Sequence, residues 1–108
     1  MEQIYKMLLK DLISKNKILF DLLKSVPDKI LNHNVNGISG NSKNIKNDYI
    51  YVAIKGAQFD GSEFINEARH NGAILVIADK SYDKNVISTN KISTRLVYTE
   101  LLASFYNK

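Results

Sequence analysis

The sequence predicts an α/β layered domain, a sheet with helices on both faces, and three observations carry that expectation. Apolar residues recur at helical spacing near both ends of the chain, and β-rich apolar runs occupy its middle. One of those runs, Ala73 to Ala78, is apolar at every position, as a strand covered on both faces must be. With 108 residues there is room for one compact domain. Alternating helical and extended stretches are the pattern of an α/β layered fold.

Taken in order, Ile4, Leu8, Leu9, Leu12 and Ile13 form the apolar stripe of an amphipathic helix ending near residues 14–17. A second short helix carries Leu19, Phe20, Leu22 and Leu23 and should stop at Pro27, because proline disfavours helical geometry in the residue before it. Val35 to Ser39 alternates like a strand, Asn41 to Asp48 is a polar turn, and Tyr49 to Ile54 is a second strand closed by Gly56. These two strands are expected as hairpin neighbours. After the loop from Ala57 to Gly61, Ser62 is placed to cap a helix that buries Phe64, Ile65 and Ala68 and ends at Gly72. Ala73 to Ala78 follows as the central strand and Val86 to Thr89 as a short one. Ser93 then caps a final helix with Leu96, Val97, Leu101, Leu102 and Phe105 on its stripe.

Composition narrows the chemistry. There is no cysteine, hence no disulfide, thiolate site or cysteine nucleophile, which fits a reducing compartment. His33 and His70 stand far apart without partners at ligand spacing, so no metal site is expected. Charged residues interrupt the first 15 positions, and no run approaches the roughly 20 apolar residues of a membrane span. The expected protein is cytoplasmic, with no membrane partner. The net charge is +4, yet 13 of the 15 basic residues are lysine and only Arg69 and Arg95 offer planar forks, so nucleic acid is not an expected partner.

No glycine-rich phosphate loop, nucleophile elbow or paired carboxylates appear, so turnover by this chain alone is not expected. What remains are binding loops. Ligands of α/β sheets settle at the carboxyl ends of strands, and the loops over Gly40 to Asp48 and Gly56 to Gly61 are rich in small and hydrogen-bonding residues.

These loops carry a family resemblance. Gly37-Ile-Ser-Gly-Asn-Ser-Lys, Asp48-Tyr-Ile-Tyr-Val-Ala-Ile-Lys-Gly, Phe59-Asp-Gly-Ser-Glu-Phe-Ile, Ala68 and Gly72-Ala-Ile-Leu-Val-Ile occur in the order and spacing of the N-terminal domain of the Mur ligases. The ending, Ser93-Thr-Arg and then Leu101-Leu-Ala-Ser-Phe-Tyr, resembles the branch that adds the third stem-peptide residue rather than the branch that adds D-alanyl-D-alanine. The resemblance runs from about Leu19 to Tyr106. It implies a Mur ligase N-terminal domain over residues 19–108, preceded by an amphipathic helix or extension over 1–18, with central ATPase and C-terminal domains lying outside this chain.

The resemblance further implies that the domain holds the uridine diphosphate end of UDP-MurNAc-L-Ala-D-Glu, while ATP and Mg2+ belong to the full-length enzyme and no cofactor to this part. A monomer is expected. Gly40 and Ser42 fall where the family contacts the nucleotide, and Ala57, Gln58 and Phe59 fall in the loop around the uridine. The chemistry agrees: a serine hydroxyl can donate to a phosphate or uracil oxygen, Gln58 and loop amides can read the uracil edge, and Phe59 can wall the ring. Lys43 adds a point charge near the diphosphate. Asn41, Lys43 and Ser62 stand where the family has Asp, Arg and His, so an Asp-Arg pair that could fix the loop is lost. Asn47 replaces a glycine, a position asparagine can fill with positive φ.

Two other classes compete. A stand-alone nucleotide-binding module would lack a Gly-Thr-Asn-Gly-Lys-Thr type loop soon after Lys108, which the ligase reading requires. A polyanion-binding domain would lose affinity steeply with salt.

Overall fold

The computed structural model describes residues 6–106. The chain runs β1 (Met7–Leu8), α1 (Leu9–Ser14), α2 (Lys17–Leu23), α3 (Asp28–Leu31), β2 (Asn34–Val35), β3 (Gly37–Ser39), β4 (Tyr49–Val52), α4 (Ile65–His70), β5 (Ala73–Ala78), β6 (Val86–Ser88) and α5 (Thr94–Tyr106), with 3-10 turns at Ser42–Asn44 and Gly61–Phe64. β3, β4, β5 and β6 form a parallel sheet in that order, and β1 pairs antiparallel with β2 in a separate two-stranded ribbon.

Side-chain alternation on the two inner strands divides the interior into two layers. Ile50 and Val52 of β4 and Leu75 and Ile77 of β5 face a large core closed by α1, α2 and α5. Tyr51, Ala53, Val76 and Ala78 face a smaller core closed by Ile65 and Ala68 of α4. The fully apolar run from Ala73 to Ala78 therefore does sit inside the sheet with helices on both faces, as its composition requires.

The first helix starts later than its periodicity suggests, and Ile4 lies outside the described residues. Met7 and Leu8 are extended because they pair with Val35 and Asn34, and the Leu9 amide donates to the His33 carbonyl at 3.0 Å. Leu9, Leu12 and Ile13 are fully or nearly fully buried, and Ser104 of α5 donates its hydroxyl to the Leu12 carbonyl at 3.0 Å. α1 is thus part of the same core as the sheet. Asn16 caps α2 by accepting from the Leu19 amide.

Several local expectations are corrected. α2 ends before Pro27, and the proline instead opens α3, its carbonyl accepting from Ile30 and Leu31; a fixed φ of −55° suits a helix start. β3 and β4 are parallel neighbours, not a hairpin, because the chain crosses back over residues 40–48 through a 3-10 turn before entering β4. The cap of the turn that leads into α4 is Asp60, whose carboxylate accepts from both the amide and the hydroxyl of Ser62. Phe64, Phe20 and Leu96 point outward, 37%, 45% and 44% exposed, since Ile65 with Ala68, Leu19 with Leu23, and Val97 with Leu101 already fill the inner stripes. The left-handed residue in the crossover is Asp48 (φ 68°), not Asn47. Gly72 does require its glycine: its φ is 117°, and a Cβ there would lie 2.5 Å from the Asn47 side chain.

Candidate nucleotide-binding edge

The carboxyl ends of β3 and β4 lie side by side, so the loops that leave them share one edge of the sheet. Gly40 ends the first strand, and a Cβ on it would come within 2.6 Å of the Ile54 side chain, which leaves β4. The absence of a side chain at Gly40 is what brings the two loops together.

In the first loop, Ser42 is nearly buried and its hydroxyl donates to the Glu67 carboxylate on α4. Lys43 lies 3.6 Å from the other Glu67 oxygen, and Asn71 donates its side-chain amide to the Ser42 carbonyl at 2.9 Å. Asn41 accepts from the Lys43 amide at 3.0 Å, closing the turn from within. The Asp-Arg pair expected to be missing is replaced: Glu67 and Asn71 clamp the loop from the helix. The Ser42 hydroxyl holds the Glu67 carboxyl below its ordinary value, with Lys43 adding charge. An ionised carboxylate only accepts, so the Ser42 proton is committed and the oxygen presents lone pairs, not the donor expected from sequence. Lys43 likewise has its charge partly neutralised.

The second loop is a tight turn. Lys55 bridges Asp60, the Gly56 amide donates to the Phe59 carbonyl at 2.8 Å, and Lys55 Nζ lies 3.1 Å from the Asp60 carboxylate. Two Ser62 hydrogen bonds, one from its hydroxyl and one from its amide, and then Lys55 pull the Asp60 carboxyl down to about 2. Beneath the turn, the buried Tyr51 hydroxyl donates to the Gly61 carbonyl at 2.7 Å, and burial pushes its phenol up to about 12. Gly61 itself lies against the backbone of Ala53 and Ile54, where a Cβ would approach within 2.8 Å. The Lys55 amide is held by the Thr94 hydroxyl at 3.0 Å, which ties the turn to the start of α5.

Ala57, Gln58 and Phe59 are exposed at the tip. Phe59 is 49% exposed and stacks on Phe64, ring centroids 5.9 Å apart and 9° from parallel. An open aromatic platform of this kind offers a face to a planar ring. Ser42 and the 57–59 tip are linked through the Gly40–Ile54 contact and through α4, where Glu67 holds Ser42 and the preceding turn presents Phe64 to Phe59. Sequence reasoning missed Glu67, Asn71 and Phe64: the first two sit among ordinary helix residues, and the aromatic at 64 fits a buried stripe as well as an open one.

The family model described as "Mur ligase family, catalytic domain" matches residues 34–104. The chain belongs to the Mur ligase family. Among curated relatives, the "UDP-N-acetylmuramoyl-L-alanyl-D-glutamate--2,6-diaminopimelate ligase 2" of Clostridium acetobutylicum is 42% identical over 89 residues, covering 82% of this chain and 17% of that protein. The diaminopimelate ligase of Rickettsia prowazekii is 46% identical over 61 residues, 56% of this chain and 12% of its own length. The chain thus spans less than a fifth of these relatives. Among solved structures, the MurF ligase of Thermotoga maritima in complex with ADP shares 32% identity over 59% of this chain and 15% of its own, with a TM-score of 0.50. A MurF of Acinetobacter baumannii covers 94% of this Mur ligase chain and 21% of its own at a TM-score of 0.67 and 19% identity, a likeness of fold.

Among the described residues no group of three or more histidine, aspartate or glutamate side chains comes together that could hold a metal ion. No described helix is long and apolar enough to cross a membrane.

Proposed function

We propose that this Mur ligase chain, residues 19–108 with α1 packed beneath them, holds the uridine diphosphate end of UDP-MurNAc-L-Ala-D-Glu. The whole enzyme would join diaminopimelate, or lysine, to that substrate at the expense of ATP. The single observation that carries the reading is the 42% identity over 89 residues to a diaminopimelate ligase, which runs through both loops of the carboxyl edge. In this reading Phe59, backed by Phe64, walls the uracil, Gln58 and the amides at Ala57 and Gln58 meet its edge, and Gly40 leaves room for the approach. Ser42 accepts a hydrogen bond from a ligand N–H or O–H group, such as the uracil imide or a ribose hydroxyl. Selection of the amino acid, the ATP and Mg2+ chemistry, and the central and C-terminal domains belong to the part of the relatives that this chain does not span. A nucleotide-activated substrate and ATP both go with action in the cytoplasm.

The second reading, which the likeness to solved MurF ligases fits without outweighing the first, is the ligase that adds D-alanyl-D-alanine. It makes the same use of this edge. The test is titration of the 108-residue chain with UDP-MurNAc while backbone amide signals are followed. Shifts confined to Gly40, Ser42, Ala57, Gln58, Phe59 and their neighbours are expected, and shifts only elsewhere refute the assignment. The amino acceptor used by the full-length enzyme separates the two ligases.

A further inference from the structure

A diphosphate carries its charge on oxygens that a planar guanidinium can grip with two parallel hydrogen bonds, and the cation expected from sequence to meet it, Lys43, is already turned toward Glu67 at 3.6 Å. Lys55 is held the same way by Asp60 at 3.1 Å. Only two arginines occur in the chain. Arg69 is engaged by both oxygens of Asp83, at 2.7 and 3.0 Å. Arg95 is exposed, and among the described residues its guanidinium has no ion pair or hydrogen bond. It lies over the candidate loop: Arg95 Nη2 is 3.8 Å from the point a Cβ would occupy on Gly56, and the neighbouring Thr94 hydroxyl holds the Lys55 amide.

Resting on the nucleotide reading above, we propose that Arg95, and not Lys43, is the cation that grips the diphosphate of the bound nucleotide. Three features converge on it. Its fork is the one free guanidinium among the described residues, so binding costs no existing ion pair. Thr94 fixes the start of α5 against the Gly56 turn, so the guanidinium moves with the loop that would hold the uridine. Gly56 has no side chain between that guanidinium and the turn, so Arg95 Nη2 and the Phe59 carbonyl both come close to it, 3.8 and 3.7 Å from where a Cβ would lie.

The experiment is calorimetric titration of the 108-residue chain with uridine diphosphate and with uridine, in wild-type, Arg95→Ala, Arg95→Lys and Lys43→Ala forms. Arg95→Ala is expected to weaken UDP roughly 10- to 100-fold, the range of a charge-assisted hydrogen bond, while uridine changes less than about twofold. Arg95→Lys should recover part of the loss, because the charge returns without the fork. Lys43→Ala should leave both ligands within about threefold, as a partly neutralised surface cation would. Melting temperatures equal to wild type exclude a folding defect, and an Arg95→Lys protein that folds carries the test if the alanine form does not. UDP affinity unchanged in Arg95→Ala, or lost mainly in Lys43→Ala, overturns the proposal and leaves the nucleotide reading intact. A wild-type chain that binds neither ligand overturns the nucleotide reading, and this one with it.

Discussion

Replacing Tyr51 by phenylalanine removes one oxygen atom from beneath the candidate loop and nothing else. That hydroxyl is buried and donates at 2.7 Å to the Gly61 carbonyl. Leaving a buried acceptor unpaired costs about 1–3 kcal/mol. For a domain near 100 residues each kcal/mol moves the melting temperature by about 4–8 °C, so Tyr51→Phe should melt at least about 4 °C lower by circular dichroism. The pH dependence supplies an internal check. The folded phenol is raised from 10.0 to about 12, so its contribution is complete below the unfolded value and fades as pH rises from 10 toward 12. The difference in stability between wild type and variant should therefore shrink across that window. A variant that melts with wild type and tracks it through the alkaline range would show that the Tyr51 bond contributes nothing, and the account of the loop's support would fall.

Other substitutions probe separate parts of the molecule. Gly72→Ala combines a φ of 117° with a Cβ 2.5 Å from the Asn47 side chain, and should cost more than about 1 kcal/mol by urea unfolding; an unchanged midpoint would contradict the geometry. Leu101→Ala empties a fully buried site between α5 and the sheet and should cost about 2–5 kcal/mol by the same assay. Asp60, lowered from 3.8 to about 2, stabilises the fold above its unfolded value and loses that contribution as pH falls toward 2, so Asp60→Asn should flatten the acid limb of the stability profile. Ser42→Ala should weaken UDP by about 1 kcal/mol in calorimetry, one hydrogen bond's worth.

The layered architecture was legible because burial leaves a periodic trace. The apolar run Ala73 to Ala78, Gly72 before it, and the stripe Val97, Leu101 and Phe105 all stand where their patterns require. Where two structures satisfy the same pattern, the sequence could not choose. Apolar spacing at Ile4 to Ile13 fits a helix from its first residue, but pairing of Met7 and Leu8 with Val35 and Asn34 gave their backbone groups other partners. An aromatic at residue 64 is apolar whether it is buried or stacked on Phe59 in the open. Among the candidate site residues, Gly40, Ser42 and the 57–59 tip came from the resemblance to the Mur ligases, whose motifs they match position by position. Glu67 and Asn71 stayed hidden because their role depends on a packing of α4 against the first loop, 25 and 29 residues away in sequence, that no local motif records.

The closing of the larger core by α1 and α5, joined where Ser104 meets a carbonyl 92 residues earlier, bears on how the chain is made. Synthesis delivers the four parallel strands in their spatial order, and α4 emerges between β4 and β5 to shield one side of the sheet as it grows. The other side carries Ile38, Ile50, Val52, Leu75 and Ile77 and is finished only when Val97, Leu101 and Phe105 leave the ribosome. Until then the nascent sheet presents an oily flank to its surroundings. A nascent chain stalled while residues 94–106 are still inside the ribosome should be retained by chaperones and be open to proteases, whereas one stalled after they have emerged should find the domain already closed.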